Sequence, residues 1–356
     1  MIDRLRVRVR VRRRRTPTPP SPELEPELEE PVRRGESTWK LVWRRFRRHR
    51  LAILGATVIV TLVLLAILAP WLTPYDFSRQ NRRLSFSGPS LNVIESPRAL
   101  DKCVRSRVLL WRCGIHPFGT DDLGRDILTR VLHGGRVSLL VGFVAALIST
   151  FIGSLLGATA AYMGGRLDSV ISRFTDTMLS IPQLPLLLIL SGLLASSQGN
   201  FTTYLNKVLG GSKSIAIIIF VIIILSWMST TRLVRGEVLS LREREFVDAA
   251  RALGGSSFRV LFRHLLPNAT HVIIVQATLQ TGEAILVESG LSFLGLGIQP
   301  PAVSWGNMLS RAQEFFFYPN GIFIALFPGL LIFLTVLCFN FLGDGLRDAL
   351  DPRWKR

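Results

Sequence analysis

Residues 245–268 read EFVDAARALGGSSFRVLFRHLLPN, a polar and basic segment between two apolar runs. Apolar side chains recur at helical spacing until Gly254-Gly255, and glycine ends helices because it adopts a left-handed conformation at little cost. Ser256 or Ser257 can cap a second helix, and Pro267 follows where a first helical turn tolerates proline. The pattern predicts two short helices joined at a corner. Their apolar positions are Phe246, Ala249, Ala250 and Leu253 in the first helix and Phe258, Leu261, Phe262 and Leu265 in the second.

The composition is typical of a membrane protein. Of the 356 residues, 48% are hydrophobic, and several apolar segments reach the roughly 20 residues that a membrane-spanning helix needs. The candidate spans are residues 51–72, 137–162, 181–194, 215–227, 271–291 and 321–341. The sequence therefore predicts an all-α integral membrane protein with six transmembrane helices.

The charge distribution predicts the orientation of these helices. A net charge of +18 would favour nucleic acid as the partner of a soluble protein. Here the arginines flank apolar segments, so we expect anionic lipid of the bilayer as the partner and no nucleic acid. The positive-inside rule then places both termini in the cytoplasm of a multi-pass protein of the cell (inner or plasma) membrane. The basic residues concerned are Arg44, Arg45, Arg47, Arg48, Arg50, Arg232, Arg235, Arg353, Lys355 and Arg356.

This orientation divides the chain into consecutive parts. They are a cytoplasmic tail at 1–50 with an interfacial helix at 39–50, a first span at 51–72, an extracytoplasmic loop at 73–136 with an interfacial helix at 120–133, a core at 137–343 and a cytoplasmic tail at 344–356. The tail at 1–50 begins with an Arg/Val tract and a Pro/Glu-rich segment that cannot bury a core, so we expect it to be disordered.

The extracytoplasmic loop contains two features of its own. Cys103 and Cys113 are close enough in sequence to close a small loop, and thiols outside the cytoplasm commonly oxidise. A disulfide and two free thiols both remain open, whereas a metal site lacks ligands because only His116 is near. The helix at 120–133 is expected to be capped by Thr120 and ended by Gly134-Gly135.

Four groups of motifs resemble one family. The order Asp248-Ala249-Ala250, then Gly254, then Leu266-Pro267 is similar to the cytoplasmic coupling motif of ABC-importer permeases, with Asp248 in place of the usual Glu. The other three groups resemble the dipeptide, oligopeptide and nickel permeases, in the C-type branch of that family. They are HPFGTDDLGRD at 116–126, LSFLGLG at 291–297 with SWG at 304–306, and GDGLRDALDP at 343–352.

The resemblance implies the fold of a type I ABC-importer permease that forms half of a translocation pathway. It implies a heterodimer with a second permease subunit, two ATP-binding subunits in the cytoplasm and an extracytoplasmic solute-binding protein. The charged residues at 121–126 either face that binding protein or form a solvated surface with internal salt bridges. The residues expected to couple to the ATPase are Phe246, Asp248, Ala249, Ala250, Gly254, Ser257, Phe258, Leu266 and Pro267.

The fifth predicted span is unusually polar. Gln276, Gln280 and Glu283 recur at intervals of four and three residues, which places them on one helical face. Ionisable groups within spans usually face a cavity or a partner. We therefore expect this face to line the translocation path, with a hydrogen-bonded contact to the partner permease as the alternative. Glu288 points elsewhere and is expected to be structural.

Catalytic motifs are absent from the sequence. It contains no G-x-x-x-x-G-K-[ST] phosphate loop, no H-E-x-x-H and no G-x-S-x-G. We therefore expect no enzyme activity, no metal and no cofactor in this chain, with ATP bound by the partner subunits.

Two other function classes were considered. An ion-gradient-driven secondary transporter would use an intramembrane carboxylate such as Glu283 and would show inverted repeats, of which the sequence gives no clear sign. A receptor or scaffold would leave the polar face of the fifth span unexplained. The substrate also stays open, because dipeptides, longer peptides, glutathione and nickel chelates all move through permeases of this branch.

Overall fold

The computed structural model describes residues 38–92, 114–196 and 213–350. The chain divides into two units, Met1–Leu41 and Val42–Arg356, and nearly all of the described residues belong to the second. Most of the Arg-rich tail, the Cys103–Cys113 pair and the last six residues lie outside the described residues, so the predicted disulfide stays a prediction.

The described part of the chain is built almost entirely from helices. They are α1 (Thr38–Phe46), α2 (Arg50–Leu72), α3 (Ile127–Met163), α4 (Gly165–Ser180), α5 (Gln183–Ser196), α6 (Lys213–Arg242), α7 (Glu245–Ala252), α8 (Ser257–Val260), α9 (Leu266–Phe293), α10 (Trp305–Phe315) and α11 (Ile322–Leu350). A π-helical turn, Leu261–Leu265, joins α8 to α9. A short 3₁₀ turn, Arg82–Leu84, lies in the first loop.

Four described helices, α2, α3, α6 and α11, are long and apolar enough to cross a membrane. Together α4 and α5 make a fifth candidate, bent by 91° at the break between them. The break contains Pro182, which the sequence analysis expected to be a kink site. The polar helix α9 is not among these candidates, although its 28 residues exceed the length that a span requires.

The predicted helix at 120–133 is wrong, because α3 begins at Ile127 and continues through Gly134-Gly135. Asp126 caps it, accepting a hydrogen bond from the Thr129 N–H at 2.7 Å. Thr120 instead accepts a hydrogen bond from the Ser87 N–H at 3.0 Å. The two glycines permit close packing: a Cβ on Gly135 would lie 2.9 Å from the Trp305 ring.

Two further boundaries differ from the prediction. Helix α1 ends at Phe46 and a turn separates it from α2, so no single helix covers residues 39–50. Helix α6 continues far beyond Trp227 to Arg242 because its second half still buries Val234 and Val238.

Small residues bring α3 and α6 into close contact. A Cβ on Gly153 would lie 2.5 Å from the Trp227 carbonyl oxygen, and one on Gly157 would lie 2.5 Å from the Thr231 carbonyl oxygen. The Thr231 hydroxyl donates to the Gly153 carbonyl at 3.2 Å. Glycines spaced by four residues thus allow two membrane helices to pack backbone against backbone.

This contact generates a stability prediction. Gly157→Ala should lower the free energy of unfolding by about 1–3 kcal/mol, because the added methyl group forces two backbones apart. Gly236→Ala on α6 is the matched control, since nothing lies within 4 Å of its Cβ position. Thermal unfolding of the purified chain in detergent would test the pair. Equal midpoints for the two variants would contradict the packing argument.

Candidate functional site

The corner predicted at Gly254-Gly255 is formed by backbone hydrogen bonds. Helix α7 ends at Ala252, and Gly254 adopts a φ of +78°, which glycine tolerates best. The Gly255 N–H donates to the Ala250 carbonyl at 3.0 Å. Of the two predicted caps, Ser256 caps α8, accepting a hydrogen bond from the Arg259 N–H at 3.4 Å. The chain therefore turns sharply between α7 and α8.

The second short helix does not end before Pro267. It continues through the π-helical turn Leu261–Leu265 into α9 without leaving helical geometry. The Leu266 N–H donates to the Leu261 carbonyl five residues back. The Asn268 side-chain amide donates to the His264 carbonyl at 2.6 Å. The widened turn thus accommodates a proline, which would otherwise disrupt a helix interior.

The helix pair buries a different face from the one predicted. Val247, Val260, Leu261 and Leu265 are buried and pack against the C-terminal halves of α3 and α6. The predicted single face of Phe258, Leu261, Phe262 and Leu265 is wrong, because only the two leucines point inward.

Three apolar side chains instead point outward and form what we call the exposed patch: Leu253, Phe258 and Phe262. Leu253 is 89% exposed, Phe258 is 71% exposed and Phe262 is exposed as well. The two phenylalanine rings have centroids 4.3 Å apart. Such a patch on the outside of a chain marks a surface that binds a partner or lipid.

The remaining predicted coupling residues differ in burial. Asp248, Ala249, Gly254, Ser257 and Pro267 are exposed, whereas Phe246, Ala250 and Leu266 are half-buried. The Asp248 carboxylate lies 3.5 Å from the Arg251 guanidinium.

An ion pair that the sequence did not predict joins α4 to α6. Arg235 of α6 binds Asp168 of α4 through two hydrogen bonds of 2.6 and 2.8 Å. Arg242 donates to the Ala161 carbonyl at 2.9 Å. No local pattern indicates the Asp168–Arg235 pair, because 67 residues separate the partners in sequence.

The polar face of α9 divides into two environments. Gln280 is only 2% exposed and joins three helices. Its carbonyl oxygen accepts hydrogen bonds from Thr150 at 3.2 Å and Thr230 at 2.9 Å, and its amide donates to the Ser226 carbonyl at 2.5 Å. Gln276 is half-buried and Glu283 is exposed. Within this chain Gln280 therefore fills the interior and does not line an open path.

Glu288 is fully buried near the C-terminal end of α9. Its carboxyl group accepts hydrogen bonds from Ser292 at 2.8 Å and Ser138 at 3.0 Å. The Ser138 hydroxyl also accepts a hydrogen bond from the backbone N–H of Trp305 at 3.2 Å. Through Ser138, the carboxyl group therefore helps to join α3, α9 and α10. This arrangement agrees with the structural role expected for Glu288.

The charged residues at 121–126 are buried ion pairs and do not form a solvated surface. Arg125 Nε lies 2.6 Å from Asp121 Oδ2, and His116 Nδ1 lies 2.8 Å from Asp126 Oδ1. Burial, and secondarily the like charge of Asp121, raises the pKa of Asp122. In the part of the chain that the structure describes, no group of three His, Cys, Asp or Glu side chains is placed to hold a metal ion.

These features define a helical membrane protein that presents an apolar patch on a helix pair continuous with a polar helix. Residues 149–356 match the family described as binding-protein-dependent transport system inner membrane component. The chain belongs to this family. Residues 37–89 match the N-terminal transmembrane domain of oligopeptide transport permease C.

Individual relatives match nearly the whole chain. A dipeptide transport system permease protein of Alkalihalophilus pseudofirmus is 40% identical over 90% of this chain and 91% of the relative. An oligopeptide transport system permease protein of Bacillus subtilis is 36% identical, and one of Haemophilus influenzae is 34% identical. Each of these two matches covers 93% of this chain and 94% of the relative.

The predicted class of protein is therefore confirmed. The chain is a permease component of an ABC transport system, a multi-pass protein of the inner membrane and not an enzyme. The permease binds no cofactor, and the ATPase partners bind ATP. An ATPase and a binding protein are its partners. Membership of this family argues against an ion-gradient-driven transporter and against a receptor or scaffold.

The network around Gln280 generates a second stability prediction. Gln280→Leu should reduce the free energy of unfolding by about 1–3 kcal/mol, because two buried hydroxyl groups and one carbonyl lose their partner. Gln276→Leu, at a half-buried position on the same helix, is the control. Thermal unfolding in detergent would measure both, and an unchanged midpoint for Gln280→Leu would show that the network is not stabilising.

Proposed function

We propose that this chain is one of two permease subunits in a peptide importer, coupled to two ATP-binding subunits through α7 and α8. The observation that carries the proposal is the exposed patch, because its two phenylalanines, Phe258 and Phe262, lie on a helical run that continues into α9 without a break. A force applied to the patch therefore acts directly on a helix inside the membrane protein.

The proposed topology has six spans with both termini in the cytoplasm. Helix α9, the fifth span in chain order, completes this number: its 28 residues extend about 42 Å at the helical rise. Two of its polar side chains, Gln280 and Glu288, are satisfied by hydrogen bonds inside the chain, which removes most of their cost in lipid. Four crossings precede the exposed patch, so the patch returns to the side on which the chain started. The arginines at 44–50 favour the cytoplasm for that side.

The proposed mechanism is alternating access. ATP-driven closure of the ATPase subunits displaces the exposed patch, and the continuous helix transmits this displacement to α9. Gln276 and Glu283, of which the first is half-buried and the second exposed, then line the path beside the second permease. The ATPase shifts the population between two conformations because it binds them differently, and this chain performs no chemistry.

The proposed substrates are dipeptides or oligopeptides, delivered by an extracytoplasmic solute-binding protein. The names of the relatives support this substrate class, since they are dipeptide and oligopeptide permeases. Binding of the loaded protein outside and of ATP inside would drive the same conformational cycle.

Disruption of the exposed patch should weaken the binding of the ATPase subunits to this chain. Phe258→Asp places a charge where a buried aromatic contact is expected, and loss of such an anchor typically costs about 2 kcal/mol or more. We therefore expect the ATPase subunits to co-purify at least tenfold less well. Leu91→Asp is the control, since Leu91 is 79% exposed but lies in the proposed outer loop. Undiminished co-purification of the ATPase subunits with the Phe258→Asp variant would contradict the coupling proposal.

The proposed topology predicts the sides from which two positions are labelled. Ser257→Cys and Leu91→Cys would each be introduced into a chain whose three native cysteines are replaced by alanine. A membrane-impermeant maleimide should label the residue at 91 in intact cells and the residue at 257 only after the membrane is opened. Labelling of position 257 in intact cells would contradict the topology.

A further inference from the structure

A cavity of about 530 Å³ opens at the outer end of the described helices. Its walls come from the loop at 77–80, the segment before and at the start of α3, the end of α9, the loop at 298–303 and one side of α10. This volume lies within the range of small-ligand cavities in proteins, roughly 300–1,000 Å³. The mechanism described above does not use this cavity.

The wall of the cavity is cationic. Three arginines line it, Arg125, Arg130 and Arg311, and among the described residues no carboxylate does. Two carboxylates, Asp121 and Asp122, lie behind these arginines. Three guanidinium groups therefore share two carboxylates, which leaves an excess positive charge at the wall.

The three arginines differ in how fully they are paired. Arg125 is bound to Asp121 at 2.6 Å, and Arg130 lies 3.5 Å from the same carboxylate and donates to the Phe77 carbonyl at 3.3 Å. Arg311 is 47% exposed and approaches Asp122 only to 3.9 Å, which exceeds hydrogen-bonding distance. Its planar fork of N–H groups is suited to a carboxylate, which it can bind through two parallel hydrogen bonds.

The rest of the wall suits a peptide-like ligand better than a simple anion. Amide and hydroxyl groups lie beside the arginines, together with apolar side chains; they include Gln80, Gln299, Asn307, Ser310, Ile298 and Val303. The Asn307 amide is fixed by its hydrogen bond to the Ala302 carbonyl at 2.9 Å. Among the described residues, the lining of the cavity offers cations and an apolar surface but no acidic group for an amino terminus.

We propose that this outer cavity binds the carboxylate end of a small peptide through Arg311, with Arg125 and Arg130 supplying further positive charge. The choice of a peptide as the ligand rests on the proposed function. The cavity selects for a free carboxylate, because an amidated terminus carries no charge to neutralise the wall. The amino terminus contributes little to this selection.

The test is a calorimetric titration of the complete transporter in nanodiscs, without ATP and without the binding protein. The probes are dialanine and dialanine amide. The wild type should bind the free acid more tightly than the amide, and Arg311→Gln should weaken binding of the acid about tenfold, as expected for one charged hydrogen bond. Arg311→Lys should retain part of the affinity. Arg83→Gln is the control, since Arg83 is exposed and does not line the cavity.

Several results would overturn the proposal. They are failure of the wild type to bind dialanine, equal affinities for the acid and the amide, unchanged affinity in Arg311→Gln, and displacement of dialanine by an equal concentration of acetate. Weaker capture of the binding protein by Arg311→Gln, without dialanine binding to the wild type, would assign the carboxylate to that protein and overturn the proposal too.

A second measurement separates this site from the proposed function. ATP-driven uptake of dialanine into proteoliposomes is measured with the binding protein present. If the wild type takes up the peptide while Arg311→Gln binds it normally, the cavity assignment is wrong and the proposed function stands. If the wild type shows no uptake of peptides, the proposed function fails, whatever the titration shows.

Discussion

The continuity of one helical run constrains the rest of this structure. From Ser257 to Phe293 the backbone stays helical, although Pro267 lies within the run. The π-helical turn before it shifts the hydrogen bond of Leu266 to a carbonyl five residues back, and the Asn268 amide occupies the His264 carbonyl. Without this local rearrangement the proline would kink the helix or uncouple its two parts. In the proposed mechanism, this stiff connection would transmit the motion of the separate ATPase subunits to α9.

A second constraint is the cost of polar groups in lipid. Helix α9 carries amides and carboxyl groups that a bilayer-facing helix would not tolerate. The fold satisfies the buried ones from neighbouring helices: Gln280 binds Thr150, Thr230 and the Ser226 carbonyl, and Glu288 binds three serines. These bonds fix α9 against α3 and α6. The polar character that keeps α9 from resembling a typical span is therefore also what holds it in place.

Two glycine pairs show how far sequence patterns can predict this fold. Gly254-Gly255 ends a helix as predicted, because Gly254 has no Cβ and adopts a positive φ at little cost. Gly134-Gly135 instead lies inside α3, where the Trp305 ring packs 2.9 Å from the Cβ position of Gly135. The same dipeptide thus has opposite consequences, and only tertiary packing decides between them. The inward and outward faces of the segment from Phe258 to Leu265 escaped prediction for the same reason, since the four side chains in the predicted face are all apolar.

The outer cavity and the exposed patch lie at opposite ends of one mechanical element. Ser292, near the end of α9, binds the Glu288 carboxyl group and also lines the cavity. The exposed patch includes Phe258, which begins the same helical run at its other end. In the proposed mechanism, a displacement of this run would therefore change the cavity wall, and a ligand in the cavity would resist or favour that displacement. Because such coupling is reciprocal, a carboxylate bound outside and an ATPase bound inside would each alter the affinity for the other. A helical run that is stiff along its length can couple the exposed patch to the outer cavity without a conformational change in any other element.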